Sequence, residues 1–246
     1  MVYTRTCLLG RKGGVGRTNT ASAIASIFAD LHKEETLLVD LDPQGNLPFV
    51  LNCNTEQESA KTYNILLRKP DAESQLIPGF ENLSIFMGSN DLKSDNVAQA
   101  FENTLENSLE SAEAHIICDP SSDANALVRQ AINLCDTFVI VTDIDIASVK
   151  GAISSAKMLS DWNADNKKKK PKKWAFVINC FEKNTKFSNE TKDGITANFP
   201  DSPIFIISKS QSLKNARRDR TVITRYPSAR KTVSEVRKIV DWIIGE

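Results

Sequence analysis

The sequence lacks a long apolar run. None of its 246 residues lies in a stretch that approaches the roughly 20 consecutive apolar residues of a membrane-spanning helix. The apolar run within residues 1–10 is also too short for a secretory signal, and Arg11-Lys12 follows it directly. We therefore expect a cytoplasmic protein.

Paired cysteines are also missing. The five cysteines lie far apart and form no CxxC pair, which is unlike a disulfide framework or a zinc site. We expect them to be small buried side chains in a reducing compartment. They are Cys7, Cys53, Cys118, Cys135 and Cys180.

The chain has no net charge, because 31 basic residues balance 31 acidic ones. The charges are unevenly placed: residues 214–238 contain nine lysines and arginines but only two acids. Such a segment indicates an anionic partner, although a solvated basic face would have the same composition. A second run, of six lysines and one proline at residues 167–173, is expected to be an exposed loop that is either solubilising or a nucleic-acid contact.

Short apolar runs alternate with helical patterns along most of the chain. This alternation predicts an α/β fold with a mostly parallel twisted sheet and helices on both faces. We find no internal repeat or long linker, so we expect one domain over residues 1–246. The predicted strands are 4–9, 36–41, 83–87, 116–119, 138–142, 175–179 and 204–207, and the predicted helices are 18–31, 97–112, 125–134, 149–162 and 232–244.

A glycine-rich segment at residues 10–18, GRKGGVGRT, lies between the first predicted strand and the first predicted helix. Its glycines allow a tight turn that points several backbone N–H groups at one anion, and the helix start adds partial positive charge. The segment matches the phosphate-loop pattern, GxxxxGK followed by Ser or Thr, except that Arg17 replaces the lysine. Thr18 is placed to bind Mg²⁺. The alternative is an ordinary glycine-rich turn.

Three aspartates, Asp40, Asp42 and Asp119, lie at the ends of apolar predicted strands. Ligands of doubly wound sheets bind at the carboxyl ends of the strands, so these carboxylates are expected beside the phosphate loop. A cation would relieve their mutual repulsion, and we expect Asp40 and Asp119 to hold Mg²⁺ through water. Each could instead cap a helix or a turn.

The run KGGVGRT at residues 12–18 resembles the deviant Walker A motif of the ParA/MinD family of P-loop ATPases. LLVDLDPQGN at residues 37–46 resembles the second motif of that family, and residues 116–120 are similar to its Walker B segment. The resemblance covers most of the chain and is closest to ParA/Soj-type DNA partition proteins. It implies a P-loop NTPase fold, ATP and Mg²⁺ as cofactors, and a homodimer with ATP between its protomers.

The resemblance also implies roles for single residues. Lys12 would reach the nucleotide of the partner protomer, and Asp42 would orient or activate the attacking water. Asn179 would contact adenine, although a turn-forming asparagine would also fit that position. The implied nucleotide-binding residues are Gly13, Gly14, Val15, Gly16, Arg17, Thr18, Asn19 and Asn179.

Arginine at position 17 presents a wide planar fork where the family has a compact lysine ammonium. Phosphoryl transfer depends on positioning, so we expect nucleotide binding to survive and hydrolysis to be slow or partner-dependent. The resemblance then implies an ATPase that segregates DNA or another cargo with a ParB-like partner. The alternative is a nucleotide-bound switch or scaffold with little or no hydrolysis.

The ParA branch binds nonspecific DNA through C-terminal basic residues, which implies a nucleoid-associated protein. Such residues contact phosphates without reading bases. The apolar stripe of the last predicted helix is expected to pack on the sheet, so we expect no membrane binding. The DNA-binding candidates are Lys214, Arg217, Arg218, Arg220 and Arg225.

Overall fold

The computed structural model of the chain describes residues 3–94, 104–122 and 126–245. The strands in these ranges are β1 (Arg5–Leu9), β2 (Thr36–Leu41), β3 (Gln75–Leu76), β4 (Leu83–Phe86), β5 (His115–Pro120), β6 (Thr137–Thr142), β7 (Lys173–Phe181) and β8 (Ile204–Ser208). They form one sheet of order β3-β4-β2-β5-β1-β6-β7-β8. Only β3 is antiparallel to its neighbour among the described strands.

Helices cover both faces of the sheet. They are α1 (Arg17–Ile27), α2 (Asn46–Val50), α3 (Thr62–Leu66), α4 (Thr104–Leu109), α5 (Ala126–Leu134), α6 (Ile146–Asp165), α7 (Lys186–Asn198), α8 (Gln211–Arg218) and α9 (Arg230–Ile244). Helices α1 and α9 pack on one face, whereas α5 and α6 pack on the other. Strand β1 is buried on both sides, with Leu8 on the first face and Cys7 and Leu9 on the second. That two-sided burial is typical of a parallel strand.

The apolar stripe of α9 packs on the sheet, as the sequence predicts. Val236, Val240 and Ile243 are buried in the same cluster as residues of α1, and Val233 packs partly against them. Burying this face stabilises the fold by about 25 cal/mol for each Å² of apolar surface that is removed from water. No helix in residues 3–94, 104–122 or 126–245 combines the length and apolar character needed to cross a membrane.

All seven predicted strands are confirmed, with ends within two residues of those observed. The missed strand β3 has only two residues, too few for a recognisable alternation. The sequence does not predict α7, because its buried positions are Ser188, Thr191 and Ile195. Only one of these three residues is apolar, which is too few to give a helical pattern. Of the predicted helix 97–112, residues 97–103 lie outside the described residues, as does Asn125 of the predicted helix 125–134.

The expectation that the whole lysine run is exposed is wrong. The side chain of Lys172 is buried, where its Nζ donates to the carbonyl of Cys135 at 2.7 Å and lies 4.4 Å from the ring centre of Trp162. This burial lowers the pKa of Lys172 below its ordinary value. Lys173 is exposed, but its Nζ donates to the Ile243 carbonyl at the end of α9 at 3.0 Å. Part of the run therefore contacts α6, the segment before β6 and the end of α9.

The cysteine expectation holds for four residues and fails for one. Cys7, Cys53, Cys118 and Cys135 are buried and free, but Cys180 is exposed. Cys180 has a left-handed backbone, with φ of 55°, where the register between β7 and β8 shifts. The irregular backbone turns this side chain out of the sheet.

Candidate nucleotide-binding site

The candidate site lies at the carboxyl ends of three adjacent strands. Strand β1 lies beside β5, and β5 lies beside β2, so the loop after β1 meets the aspartates of the other two. Asp40 of β2 is directly opposite Asp119 of β5 in the parallel register. The structure therefore brings together the loop and the carboxylates that the sequence predicts to meet.

The glycine loop is held in place from below by Asn179. The Asn179 side-chain Nδ2 donates to the carbonyl of Val15 at 2.8 Å, and its Oδ1 accepts from the backbone N–H of Cys180 at 2.9 Å. Gly16 has φ of 94°, and a Cβ there would lie 2.0 Å from that Nδ2. Only glycine fits this close approach. Asn179 therefore braces the loop, and both ends of its amide have partners within the chain.

Arg17 turns inward at the start of α1 and is only 8% exposed. Its Nε donates to Asp119 Oδ1 at 3.1 Å, and its Nη1 donates to the carbonyl of Gly10 at 2.6 Å. Its Nη2 lies 3.9 Å from Asp42 Oδ2. The planar fork thus contacts two carboxylates and the loop backbone at once, which one lysine ammonium could not do.

The buried carboxylates have raised pKa values. Burial raises the pKa of Asp119, while the Arg17 charge and a hydrogen bond with Thr18 oppose that shift. Burial, followed by the nearby charge of Asp119, raises the pKa of Asp40 well above its ordinary value. Asp40 Oδ1 accepts from the backbone N–H of Asp42 at 3.0 Å. The ionised carboxylates are therefore unfavourable at these buried positions, and a cation bound beside them would stabilise the ionised form.

The predicted magnesium ligands fit their role. Thr18 lies close enough to Asp119 to lower the pKa of that carboxyl, so the two oxygen groups lie side by side. The Oδ2 atom of Asp40 is buried and has no hydrogen-bond partner among the described residues, so a metal-bound water would satisfy it. Those residues contain no group of three His, Cys, Asp or Glu side chains arranged for a metal. Mg²⁺ would therefore depend on phosphate and water oxygens as well.

A cavity of about 320 Å³ opens above the loop. Seven of the eight predicted nucleotide-binding residues line it, whereas Asn179 lies behind the loop. Four other residues line the cavity that the sequence does not predict to bind nucleotide: Gln44, Asn46, Ser122 and Arg217. Gln44 and Asn46 were recognisable from the motif around Asp42, but Arg217 had been grouped with DNA-binding candidates.

Lys12 lies at the rim of the cavity. Its Nζ is 3.2 Å from Asp145 Oδ1, and both side chains are about half exposed, at 44% and 51%. Asp145 is the N-cap of α6 and accepts from the backbone N–H groups of Ala147 and Ser148, which explains why the helix begins there. The Lys12 contact lowers the pKa of Asp145. Lys12 therefore contacts the N-cap residue of α6 in its own chain.

Gly88 supports the aspartate motif from the end of β4. A Cβ on Gly88 would lie 2.3 Å from the carbonyl oxygen of Asp42 and 2.8 Å from Cγ of Asp40. The backbone after β4 therefore closes one side of the motif, and a larger residue would displace it. No sequence pattern predicts this contact, because it joins segments near residues 40 and 88 that are far apart in the chain.

The DNA-binding candidates are not equivalent. Arg225 donates to Asp30 at 3.0 Å and lies 3.6 Å from the ring centre of Phe80. Arg220 donates from Nε to the carbonyl of Phe49 at 2.9 Å, and Arg218 donates to its neighbour Asp219 at 2.8 Å. Lys214 and Arg217 are exposed on α8. Structural contacts therefore compete with phosphate binding at part of this surface.

Comparison with known proteins assigns a family to these features. A family model described as an AAA domain matches residues 5–170, more than half of the chain. An uncharacterised protein of Methanocaldococcus jannaschii is 22% identical over 251 residues, covering 96% of each protein. The chromosome-partitioning ATPase Soj of Thermus thermophilus is 44% identical over 66 residues, or 27% of this chain and 25% of Soj.

Solved structures share the whole fold. Apo McdA of Cyanothece aligns with a TM-score of 0.82 at 16% identity, over 96% of this chain and 99% of McdA. MinD of Pyrococcus horikoshii, complexed with Mg-ADP, aligns with a TM-score of 0.76 at 16% identity, over 98% of this chain and 96% of MinD. At these identities the likeness is one of fold. The predicted P-loop NTPase fold is confirmed.

Proposed function

The chain belongs to the ParA/MinD family of P-loop ATPases, and we propose that it is an ATP-dependent protein for the partition of DNA or another cargo. The observation that carries this proposal is the cavity where the glycine loop, Thr18 and Asp42 meet. A phosphate loop at a helix start, beside oxygen groups suited to Mg²⁺, matches the chemistry of a nucleoside triphosphate.

ATP is held with its phosphates on the backbone N–H groups of residues 13–18. Thr18 would hold Mg²⁺, with Asp40 and Asp119 holding its waters, and the ion would supply neutralisation of phosphate charge. Asp42 lines the cavity and is a carboxylate able to orient the attacking water. The chemistry required of the protein is therefore mainly positioning and charge stabilisation.

ATP binding produces a homodimer with the nucleotides between the protomers. Lys12 supports this part of the proposal because it lies at the open rim of the cavity, half exposed. An exposed pair such as Lys12 and Asp145 contributes little stability, so Lys12 can exchange Asp145 for the phosphate of a facing protomer. The exchange replaces a weak exposed contact with a desolvated one.

Hydrolysis is slow and depends on a partner, such as a ParB-like protein bound to the cargo. Arg17 supports this expectation, because Asp119 and the Gly10 carbonyl already hold its guanidinium. The guanidinium therefore reaches the β- and γ-phosphates only through its remaining N–H donors or by giving up one of these hydrogen bonds. A displaced γ-phosphate of about 1 Å would lower the rate about 10²-fold.

The dimer binds nonspecific DNA in the cytoplasm and is nucleoid-associated. Helix α8 carries exposed basic side chains, including Lys214 and Arg218, and Arg220 follows it. Phosphate contacts of this kind are independent of sequence and weaken as salt rises. No role for a membrane is part of this proposal.

A second function is favoured by Arg17 alone. If the guanidinium stays on Asp119 when nucleotide is bound, the protein is a nucleotide-bound switch or scaffold with little or no hydrolysis. Both functions require ATP binding and dimerisation. They differ in turnover.

The test is ATP turnover at saturating Mg·ATP, with and without duplex DNA, for the wild type and Arg17→Lys. Binding of a fluorescent ATP analogue is measured on the same samples. Turnover that DNA or a cargo protein stimulates supports the partition ATPase. Binding without turnover, restored by Arg17→Lys, supports the switch. Absence of nucleotide binding by the wild type would refute both.

A further inference from the structure

Arg217 differs from the other arginines near the end of α8. Arg218, Arg220 and Arg225 each donate a hydrogen bond, to Asp219, Phe49 and Asp30 respectively. The guanidinium of Arg217 makes no hydrogen bond or ion pair within the described part of the chain. It lines the nucleotide cavity instead.

Arg217 differs from the other cations of the cavity wall because it has no anionic partner in the described part of the chain. Four charged side chains line the cavity, and three of these are cations: Lys12, Arg17 and Arg217. Lys12 is paired with Asp145, and Arg17 is paired with Asp119. An arginine without a partner, facing a cavity that already presents backbone N–H groups, is suited to an anion.

A contact made by Arg220 holds the end of α8, and with it Arg217, beside the cavity. Three residues later, Arg220 donates to the carbonyl of Phe49 at 2.9 Å and lies 4.6 Å from the centre of that ring. Phe49 belongs to α2, which begins at Asn46, another residue of the cavity wall. The end of α8 is therefore joined to the segment that follows Asp42.

We infer that Arg217 binds the polyphosphate of the nucleotide and is not a DNA contact. This inference rests on the proposed function, because it needs a nucleotide in the cavity. It makes α8 a helix that senses the bound nucleotide through Arg217, while Lys214 and Arg218 remain directed to solvent. The nucleotide and DNA surfaces then share one helix.

Adjacent arginines provide the experiment with a matched pair. Arg217→Ala and Arg218→Ala remove the same charge from neighbouring positions of α8, but only Arg217 lines the cavity. We expect Arg217→Ala to weaken binding of a fluorescent ATP analogue with Mg²⁺ about tenfold, equivalent to about 1.4 kcal/mol. Arg218→Ala should stay within about twofold of the wild type, since screening weakens the effect of an exposed charge. Arg217→Lys should recover part of the loss.

A comparison of ATP, ADP and AMP analogues tests the phosphate assignment. The loss in Arg217→Ala should be largest for ATP and smallest for AMP. An equal loss for all three would place Arg217 at the base or ribose and overturn the inference. So would equal weakening by Arg217→Ala and Arg218→Ala, which would indicate a general charge effect.

DNA binding at saturating nucleotide separates the two roles of α8. Loss of duplex binding in Arg217→Ala with unchanged nucleotide affinity would assign Arg217 to DNA and overturn the inference. Wild-type nucleotide binding is the control for the proposed function. If the wild type binds ATP and Arg217→Ala binds it equally well, only this inference fails.

Discussion

Replacing Arg17 by alanine should destabilise the nucleotide-free protein. The Arg17 side chain is 8% exposed and Asp119 is 1% exposed, so their hydrogen bond is an ion pair removed from water. Removing one partner of such a pair leaves an uncompensated buried charge, which typically costs about 3–5 kcal/mol. We expect about 3 kcal/mol, because Thr18 still favours the ionised form of Asp119. For a protein of this size, that loss lowers the melting temperature by about 6–12 °C.

The effect should depend on pH in a defined direction. Burial raises the pKa of Asp119, and the Arg17 charge opposes that rise, so Arg17→Ala raises the pKa further. A carboxyl group with a raised folded-state pKa costs stability when ionised, and the cost disappears as pH falls through that pKa. The loss of stability should therefore be largest above the folded-state pKa and should shrink as pH falls toward about 4, the ordinary pKa of an aspartate.

The assay is thermal unfolding followed by circular dichroism, with EDTA and without nucleotide. Arg11→Ala is the matched control, because Arg11 is an exposed arginine of the same loop. Adding Asp119→Asn to Arg17→Ala should restore part of the stability, since no charge is then left unpaired. A melting temperature of Arg17→Ala within about 2 °C of the wild type would refute the argument that Arg17 supports the buried carboxylate.

Four further substitutions test other contacts. Asn179→Ala removes the hydrogen bond to the Val15 carbonyl, so it should weaken ATP-analogue binding about tenfold and lower stability by about 1 kcal/mol. Unchanged affinity would contradict the role of Asn179 in holding the loop. Burial lowers the pKa of His115, so the wild type should lose stability as pH falls below about 6.5, and urea unfolding of His115→Gln should show less of this loss. Gly88→Ala meets a backbone carbonyl and should destabilise by about 1–3 kcal/mol, whereas Gly194→Ala, which has open space inside a helix, should stabilise by up to about 1 kcal/mol in the same denaturation assay.

Backbone features of the site could be predicted from sequence because their signals are local. The apolar run that forms β2 gives the strand with its observed ends, and the glycine pattern gives the turn before α1. Parallel strands then place Asp40 and Asp119 at one edge of the sheet. Each step needs only neighbouring residues and the general geometry of α/β folds.

Side-chain partners could not be predicted in the same way. The direction of Arg17 depends on Asp119, which is 102 residues away in the chain. The brace from Asn179 to Val15 spans 164 residues, and the sequence pattern at Asn179 fits a turn equally well. Such contacts depend on which strands become neighbours and how closely they approach, so a motif identifies the residue but not its partner.

Composition also does not show which basic residues of 214–238 are available to bind DNA. Each phosphate contact contributes about 0.9 to the slope of log K against log salt, so composition alone would predict a steep salt dependence for DNA binding. Arg225 has to break a bond to Asp30 before it can contribute, and Arg220 has to leave the Phe49 carbonyl. Arg217 is directed to the nucleotide cavity. The slope for duplex DNA should therefore reflect mainly Lys214 and the exposed basic residues of α9, and Arg225→Ala should affect stability more than DNA affinity.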